Sequence, residues 1–258
     1  MPFDLRDFTV QPHTGIQFTS VLHAKAEGST LPENNKVSKQ PYIVCVTGAG
    51  KGIGYWVSLA YAHAGVSGLV ISSRTQSDLD TLSAELKKIN PKLHIVSRIC
   101  DTTKEADVEA LAAETKKIFG YVDVCVANAG VISKYLPDGS LPSGILTDLD
   151  FERVININFL GVVRTARHFV PLLLDSRSAH NFIAVTSMAA FMPSSSLTPI
   201  AYNTSKIAVN RLIEHLKNDH GEEGLLAYAI HPGAVITPQT ENHSLSTGDV
   251  WQQGTLRN

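Results

Sequence analysis

The chain has 258 residues, 43% of them hydrophobic and 18% charged, and a formal net charge of -2. That is ample material for one buried core, and the lack of a basic field argues against nucleic acid or an anionic membrane as the main partner. No apolar run reaches the ~18 residues of a membrane span, and the N-terminus lacks the blocks of a signal peptide and carries Asp4 and Asp7, so the expectation is a cytoplasmic protein. Cys45, Cys100 and Cys125 each sit inside an apolar run and read as buried thiols of a reducing compartment. The ten histidines show no metal-ligand spacing, so no metal is assigned.

Residues 1–40 are rich in Pro, Ser, Thr, Asn and Lys without sustained periodicity and read as a polar N-terminal extension. From Tyr42 the character changes, and residues 41–258 read as one domain. Short apolar runs at 43–46, 69–72, 93–99, 122–127, 182–185 and 225–230 read as strands buried in a parallel sheet. Between them, 55–64, 77–89, 104–119, 151–174 and 201–220 have helical spacing. Such alternation predicts an α/β fold, a Rossmann-type doubly wound parallel sheet in three α/β/α layers.

Directly after the first run stands Thr47-Gly48-Ala49-Gly50-Lys51-Gly52-Ile53-Gly54, opening a helix. Glycines here allow a tight turn and close approach of backbone N–H groups to a pyrophosphate, with the helix N-terminus behind them. The strand-turn-helix setting turns a weak motif into a dinucleotide site. At the end of the second run, where an NAD site carries an acid for the ribose 2′-OH, this chain has Ser72-Ser73-Arg74. Arg74 with Lys51 can instead meet a 2′-phosphate, which points to NADP(H) ahead of NAD(H).

Tyr202 and Lys206 are four residues apart, hence on one helix face. A neighbouring ammonium favours phenolate and lowers a tyrosine pKa, so the pair is suited to moving a proton. Upstream lie Ser187 after an apolar strand, Asn156 and Asn158 in Asn156-Ile157-Asn158-Phe159-Leu160-Gly161, and Asn128-Ala129-Gly130 after the fourth strand.

In this order the motifs resemble those of the short-chain dehydrogenase/reductase family. Its TGxxxGIG turn, the Asp101 that follows the third strand, NAG, the Asn of a VNxxG-like segment, Ser and YxxxK are all matched. So is a PGxxxT-like segment, His231-Pro232-Gly233-Ala234-Val235-Ile236-Thr237, and the resemblance covers about 42–240. It implies an NADP(H)-dependent oxidoreductase interconverting a carbonyl and an alcohol on a small, fairly apolar substrate. Tyr202 would be the general acid or base, Lys206 would lower its pKa and bind the nicotinamide ribose, Ser187 would hold the substrate oxygen, and Asn158 would order a relay water. Gly48, Gly50, Lys51, Gly52, Ile53, Gly54, Ser73, Arg74, Asp101, Asn128, Gly130, Val235 and Thr237 would meet the cofactor. The resemblance also implies a homodimer or homotetramer through the helices 151–174 and 201–220.

Two departures stand out. The extension is long for the family, and residues 238–258 are polar where another helix and a seventh strand are expected. The chain is thus expected to be C-terminally shortened, its sheet lacking the last family strand, with an exposed edge and a thinned substrate wall. A rival reading is a shortened, non-catalytic dinucleotide-binding protein of the same fold. A doubly wound methyltransferase is a third, disfavoured by Arg74 and the Tyr202/Lys206 pair. Loop 133–147 reads as a substrate lid or as an ordinary surface excursion.

Overall fold

The computed structural model describes residues 27–38, 41–195, 198–233, 235 and 237–239. Six strands, β1 (Ile43–Thr47), β2 (Gly68–Ser73), β3 (His94–Ile99), β4 (Val124–Ala127), β5 (Asn181–Val185) and β6 (Leu226–Ile230), form one sheet. All neighbours are parallel and their order is β3-β2-β1-β4-β5-β6. Every apolar run read from the sequence is a strand within two residues at each end; the central strands are covered on both faces and need no polar alternation, whereas the edge strands β3 and β6 are more exposed. β1 is buried along its whole length and β4 likewise.

The helices α1 (Gly52–His63), α2 (Gln76–Ile89), α3 (Glu105–Phe119), α4 (Phe151–Ile155), α5 (Gly161–Leu174) and α6 (Ile200–His220) cover the sheet. Two apolar layers result. Val44, Val46, Leu69 and Ile71 pack with Leu79, Leu82 and Leu86 of α2 and Ala62 of α1. On the opposite face Cys45, Val70, Cys125 and Phe182 pack with Leu111 of α3, Phe169 of α5 and Val209 of α6. Each fully buried Leu or Phe contributes about 1.5–3 kcal/mol. All three cysteines are free and buried. Among the described residues no helix is long and apolar enough to cross a membrane.

The segment 151–174 is not the single helix that its spacing predicts. Between α4 and α5 the hydrogen bonding widens over Asn156–Leu160, with Gly161 N donating to the Asn156 carbonyl five residues back. Such widened turns redirect side chains and concentrate at functional sites. Here the widened turn carries Asn158, which is fully buried.

Among the described residues β6 is the last strand of the sheet. Leu226, Tyr228 and Ile230 share one face and are 49%, 47% and 41% exposed among the described residues; on the other face Ala227 is buried and Ala229 exposed. The expectations for residues 240–258, and for residues 1–26 of the extension, fall outside the described residues. Residues 27–38 make two short turns, and Val37 N donates to the Ala64 carbonyl at 3.0 Å, seating them on the end of α1.

Candidate active site

The strand order reverses between β1 and β4, so the chains leaving these two strands diverge and open a crevice at the carboxyl end of the sheet. The glycine-rich turn fills one side of it. Gly48 has φ +65°, and a Cβ there would lie 2.7 Å from Ala129 Cα. At Gly54 a Cβ would lie 2.5 Å from both Asn128 Nδ2 and the Gly48 carbonyl. Nothing larger than hydrogen fits, because Asn128 braces the turn from β4. Its Nδ2 donates to the carbonyls of Thr47 and Gly48, each at 3.0 Å, and its backbone N donates to Thr47 Oγ1 at 3.1 Å. Ala49 N donates to the Ser72 carbonyl at 2.9 Å and ties the turn to β2.

Above the turn is a cavity of about 570 Å³. Gly48, Gly50, Lys51, Gly52, Ile53, Ser73, Arg74, Asp101, Asn128, Gly130, Ser187, Tyr202, Lys206, Val235 and Thr237 all line it. Of the residues singled out from the sequence, Gly54, Asn156 and Asn158 do not line it. Among residues 133–147, none of those described lines the cavity; only Val131 and Ile132 at the start of that loop do. The lid reading of the loop therefore has no support in its position.

Around the end of β2 the charges are mixed. Lys51 Nζ lies 3.3 Å from Asp78 Oδ2. Asp101 accepts from Thr103 N at 3.0 Å and Thr103 Oγ1 at 2.8 Å. Burial raises its pKa, but these hydrogen bonds and the charges of Arg74 and Lys104 outweigh burial and hold the carboxyl below its ordinary value.

On the other side, Ser187 ends β5 and caps a short turn, its Oγ accepting from Ala189 N at 3.1 Å. α6 brings Tyr202 and Lys206 to the same place. Lys206 Nζ lies 5.4 Å from the centre of the Tyr202 ring and donates to the Val185 carbonyl at 2.8 Å. A Cβ on Gly130 would lie 3.4 Å from Asn158 Oδ1 and 3.6 Å from Lys206 Nζ, so Asn158 packs behind the cavity wall that Gly130 and Lys206 line. Asn158 Oδ1 accepts from Val131 N and its Nδ2 donates to the Val131 carbonyl, both at 2.8 Å, and also to Ser205 Oγ at 3.1 Å. Both amide hydrogens are thereby engaged, and Asn158 fixes the strand-end loop against α6.

One expectation needs correction. The expected lowering of the Tyr202 pKa by Lys206 is outweighed here by burial. Burial raises the Tyr202 phenol above its ordinary value, with a Ser187 hydrogen bond acting the other way. Desolvation also acts on Lys206, whose pKa is pushed down to about 8. The ammonium lies over the ring and spends a hydrogen bond on Val185, and desolvation is the largest influence on both groups.

Three residues that the sequence reading passed over complete the site. Asp148, buried in the loop after β4, accepts from Ala201 N at 3.0 Å and caps α6, which has Pro199 and no local side-chain cap. Asn203 Nδ2 donates to the Ser194 carbonyl at 3.1 Å, and its Oδ1 accepts from Thr198 Oγ1, stapling the loop after β5 to α6. Asp78 is the third. Only the buried-cap role of Asp148 had a signal in the sequence, namely a long helix without a capping residue of its own.

A profile described as short chain dehydrogenase matches residues 42–247. The chain is 33% identical to short chain dehydrogenase pgmD of Aspergillus terreus over 235 residues, covering 88% of this chain and 74% of that one. It is 34% identical to short chain dehydrogenase pigC of Monascus ruber over 226 residues, 85% of this chain and 70% of the relative. Among solved structures, an alcohol dehydrogenase from the archaeon Thermococcus sibiricus, complexed with 5-hydroxy-NADP, superposes with a TM-score of 0.62 at 27% identity, covering 75% of this chain and 76% of that one.

Proposed function

The chain belongs to the short chain dehydrogenase family of oxidoreductases, which bind a nicotinamide dinucleotide, and from that premise we propose that it is an NADP(H)-dependent reductase of a small, fairly apolar carbonyl compound. The observation that carries the proposal is convergence: Ser187, Tyr202 and Lys206 line the same cavity as the glycine-rich turn and Arg74.

The donor set fits the cofactor. Close packing at Gly48 and Gly54 holds the turn tight, and Gly48, Gly50, Gly52 and Ile53 line the cavity at the start of α1, where backbone N–H groups suit a pyrophosphate. Arg74 and Lys51 supply cations for a 2′-phosphate, with no acid at 72–74 to compete for a ribose hydroxyl. Gly130, Val235 and Thr237 would flank the nicotinamide, and the bound dinucleotide would supply the hydride.

The proton is the protein's task. Tyr202, kept protonated at neutral pH by its raised pKa, donates its phenolic hydrogen to the carbonyl oxygen as the alcohol forms. Ser187 donates a second hydrogen bond to that oxygen and stabilises the developing charge. Lys206, still largely cationic at neutral pH, sits beside the ring and favours the phenolate left behind. Asn158 acts by position, fixing the cavity wall through Val131 and Ser205. With NADPH as the dinucleotide, reduction is the direction proposed. Met188, Met192 and Ile132 in the cavity wall suit an apolar substrate.

The test is turnover of a generic ketone or quinone with NADPH by the wild type and Tyr202→Phe. A fall in kcat of about 10²–10⁴ with NADPH binding retained is expected from loss of a positioned acid. Undiminished turnover in the variant would overturn the assignment, and no turnover by the wild type would return the non-catalytic reading.

A further inference from the structure

The rim of the cavity beside β2 holds an anion that a site for a 2′-phosphate has no evident use for. Asp78 lies in the first turn of α2 and lines the cavity together with Arg74, Thr75 and Lys51. Its position is fixed by close packing. A Cβ on Gly50 would lie 2.9 Å from Ser73 Oγ and 3.0 Å from Asp78 Cβ, so the middle of the turn, the end of β2 and the start of α2 meet at one point. This is where a dinucleotide fold presents the group that reads the ribose 2′ position. In an NAD site that reader is an acid at the end of the second strand. In this chain the strand ends in Ser73-Arg74, and the acid arrives from the following helix instead.

The two carboxylates of this rim are not alike. Asp101 is committed to Thr103 through its backbone N and hydroxyl. Asp78, among the described residues, has an ion-pair partner in Lys51 at 3.3 Å, and its side chain is only 20% exposed. A cation already paired to a carboxylate is a weaker phosphate ligand than a free one, and a carboxylate a few ångström from a phosphate repels it. Both effects act on NADPH and neither acts on NADH, which has a hydroxyl at that position.

We propose that Asp78 is a specificity-determining residue: its carboxylate, paired with Lys51 at the 2′ end of the cofactor cavity, tempers the preference of the site for NADPH over NADH. The proposal rests on the reading of Lys51 and Arg74 as phosphate ligands. It holds the discrimination at a moderate level and leaves NADH usable.

The test is titration of the intact chain with NADPH and with NADH, followed by reduced-nicotinamide fluorescence at low salt, for the wild type, Asp78→Asn and Asp80→Asn. Asp80 lies on the same helix, accepts from Gln76 Nε2 at 2.8 Å and does not line the cavity, so it controls for a mere change in net charge. Asp78→Asn should tighten NADPH binding about three- to tenfold, the size of a screened charge pair a few ångström apart, and leave NADH binding within about twofold. Asp80→Asn should move neither. An unchanged ratio in Asp78→Asn, or an equal response in Asp80→Asn, would overturn the proposal. So would a ratio that moves because NADH binding is lost, since Asp78 would then be an acceptor for ribose hydroxyls. Failure of the NADP(H) reading would show separately, in the wild-type ratio itself, whereas this proposal concerns the change in that ratio.

Discussion

The two ends of the cofactor crevice are built by different means. On the β1–β2 side, position is held by backbone against backbone. The turn at 48–54 is braced by Asn128 and Ala49, and glycines meet their neighbours at distances no side chain tolerates. On the β4–β6 side, position is held by side chains crossing between loops and α6: Asn158 to Val131, Asp148 to Ala201, Asn203 to Ser194. Its edge strand is open, with four of the five residues of β6 exposed among the described residues. The difference teaches where each function is set. A pyrophosphate is common to every dinucleotide and suits a rigid backbone cradle, whereas substrates differ and suit a wall assembled from replaceable side chains.

The sharpest way to break the comparison is to put a methyl group into the cradle. Gly54→Ala should cost about 1–3 kcal/mol in stability, because its Cβ overlaps Asn128 Nδ2 and the Gly48 carbonyl. Chemical denaturation with a parallel NADPH titration should show lost stability and lost binding together. Unchanged binding would mean the turn relaxes and is not rigid.

On the other side, Asn158→Ala should cost about 1–3 kcal/mol, because the backbone N–H and carbonyl of Val131 lose their partner in a buried place. The loss should appear in denaturation and in kcat, with NADPH binding largely retained. A variant as stable as the wild type would show that Asn158 does not hold the wall.

A smaller effect, readable as a slope, concerns Lys206. Its pKa is lowered from 10.5 to about 8, so the folded chain releases this proton before the unfolded chain does. Below about pH 8 both states carry the charge, and the folded state bears the cost of burying it. Between about 8 and 10.5 the unfolded state binds more protons, so stability rises with pH. Relative to Lys206→Met, the wild type should gain about 1–3 kcal/mol across that window in denaturation at pH 7, 9 and 10. Parallel curves for the two proteins would contradict a desolvated lysine.

The rigid half was the more legible in sequence. A turn whose packing demands glycine writes itself as Gly48, Gly50, Gly52 and Gly54, and strands buried on both faces write themselves as apolar runs. Tyr202 and Lys206 were legible because one helix sets their spacing. The side-chain wall was not. Asp78 in a first helical turn reads as an ordinary acid favoured by the helix dipole. Asn203 gains meaning only when loops far apart in the chain are brought together, and for Asp148 the sequence shows a helix in need of a cap but not which residue supplies it. The widened turn at Asn156–Leu160 was hidden because its apolar spacing is that of a plain helix, and the hydrogen bonds from Asn158 that accompany it lie across the fold. The shift of Lys206 was missed because pairwise charge reasoning omits desolvation, which here is the larger effect.

The claim at the centre of this account is that the cavity is an NADP(H) site read by Arg74. The most direct measurement is a fluorescence titration of the wild type and Arg74→Ala with NADPH and NADH. The account predicts that the wild type binds NADPH about tenfold or more tightly than NADH, as a charge-assisted guanidinium–phosphate pair supplies, and that Arg74→Ala brings the two within about twofold. Equal binding by the wild type, or a preference for NADPH that survives the loss of Arg74, would contradict it.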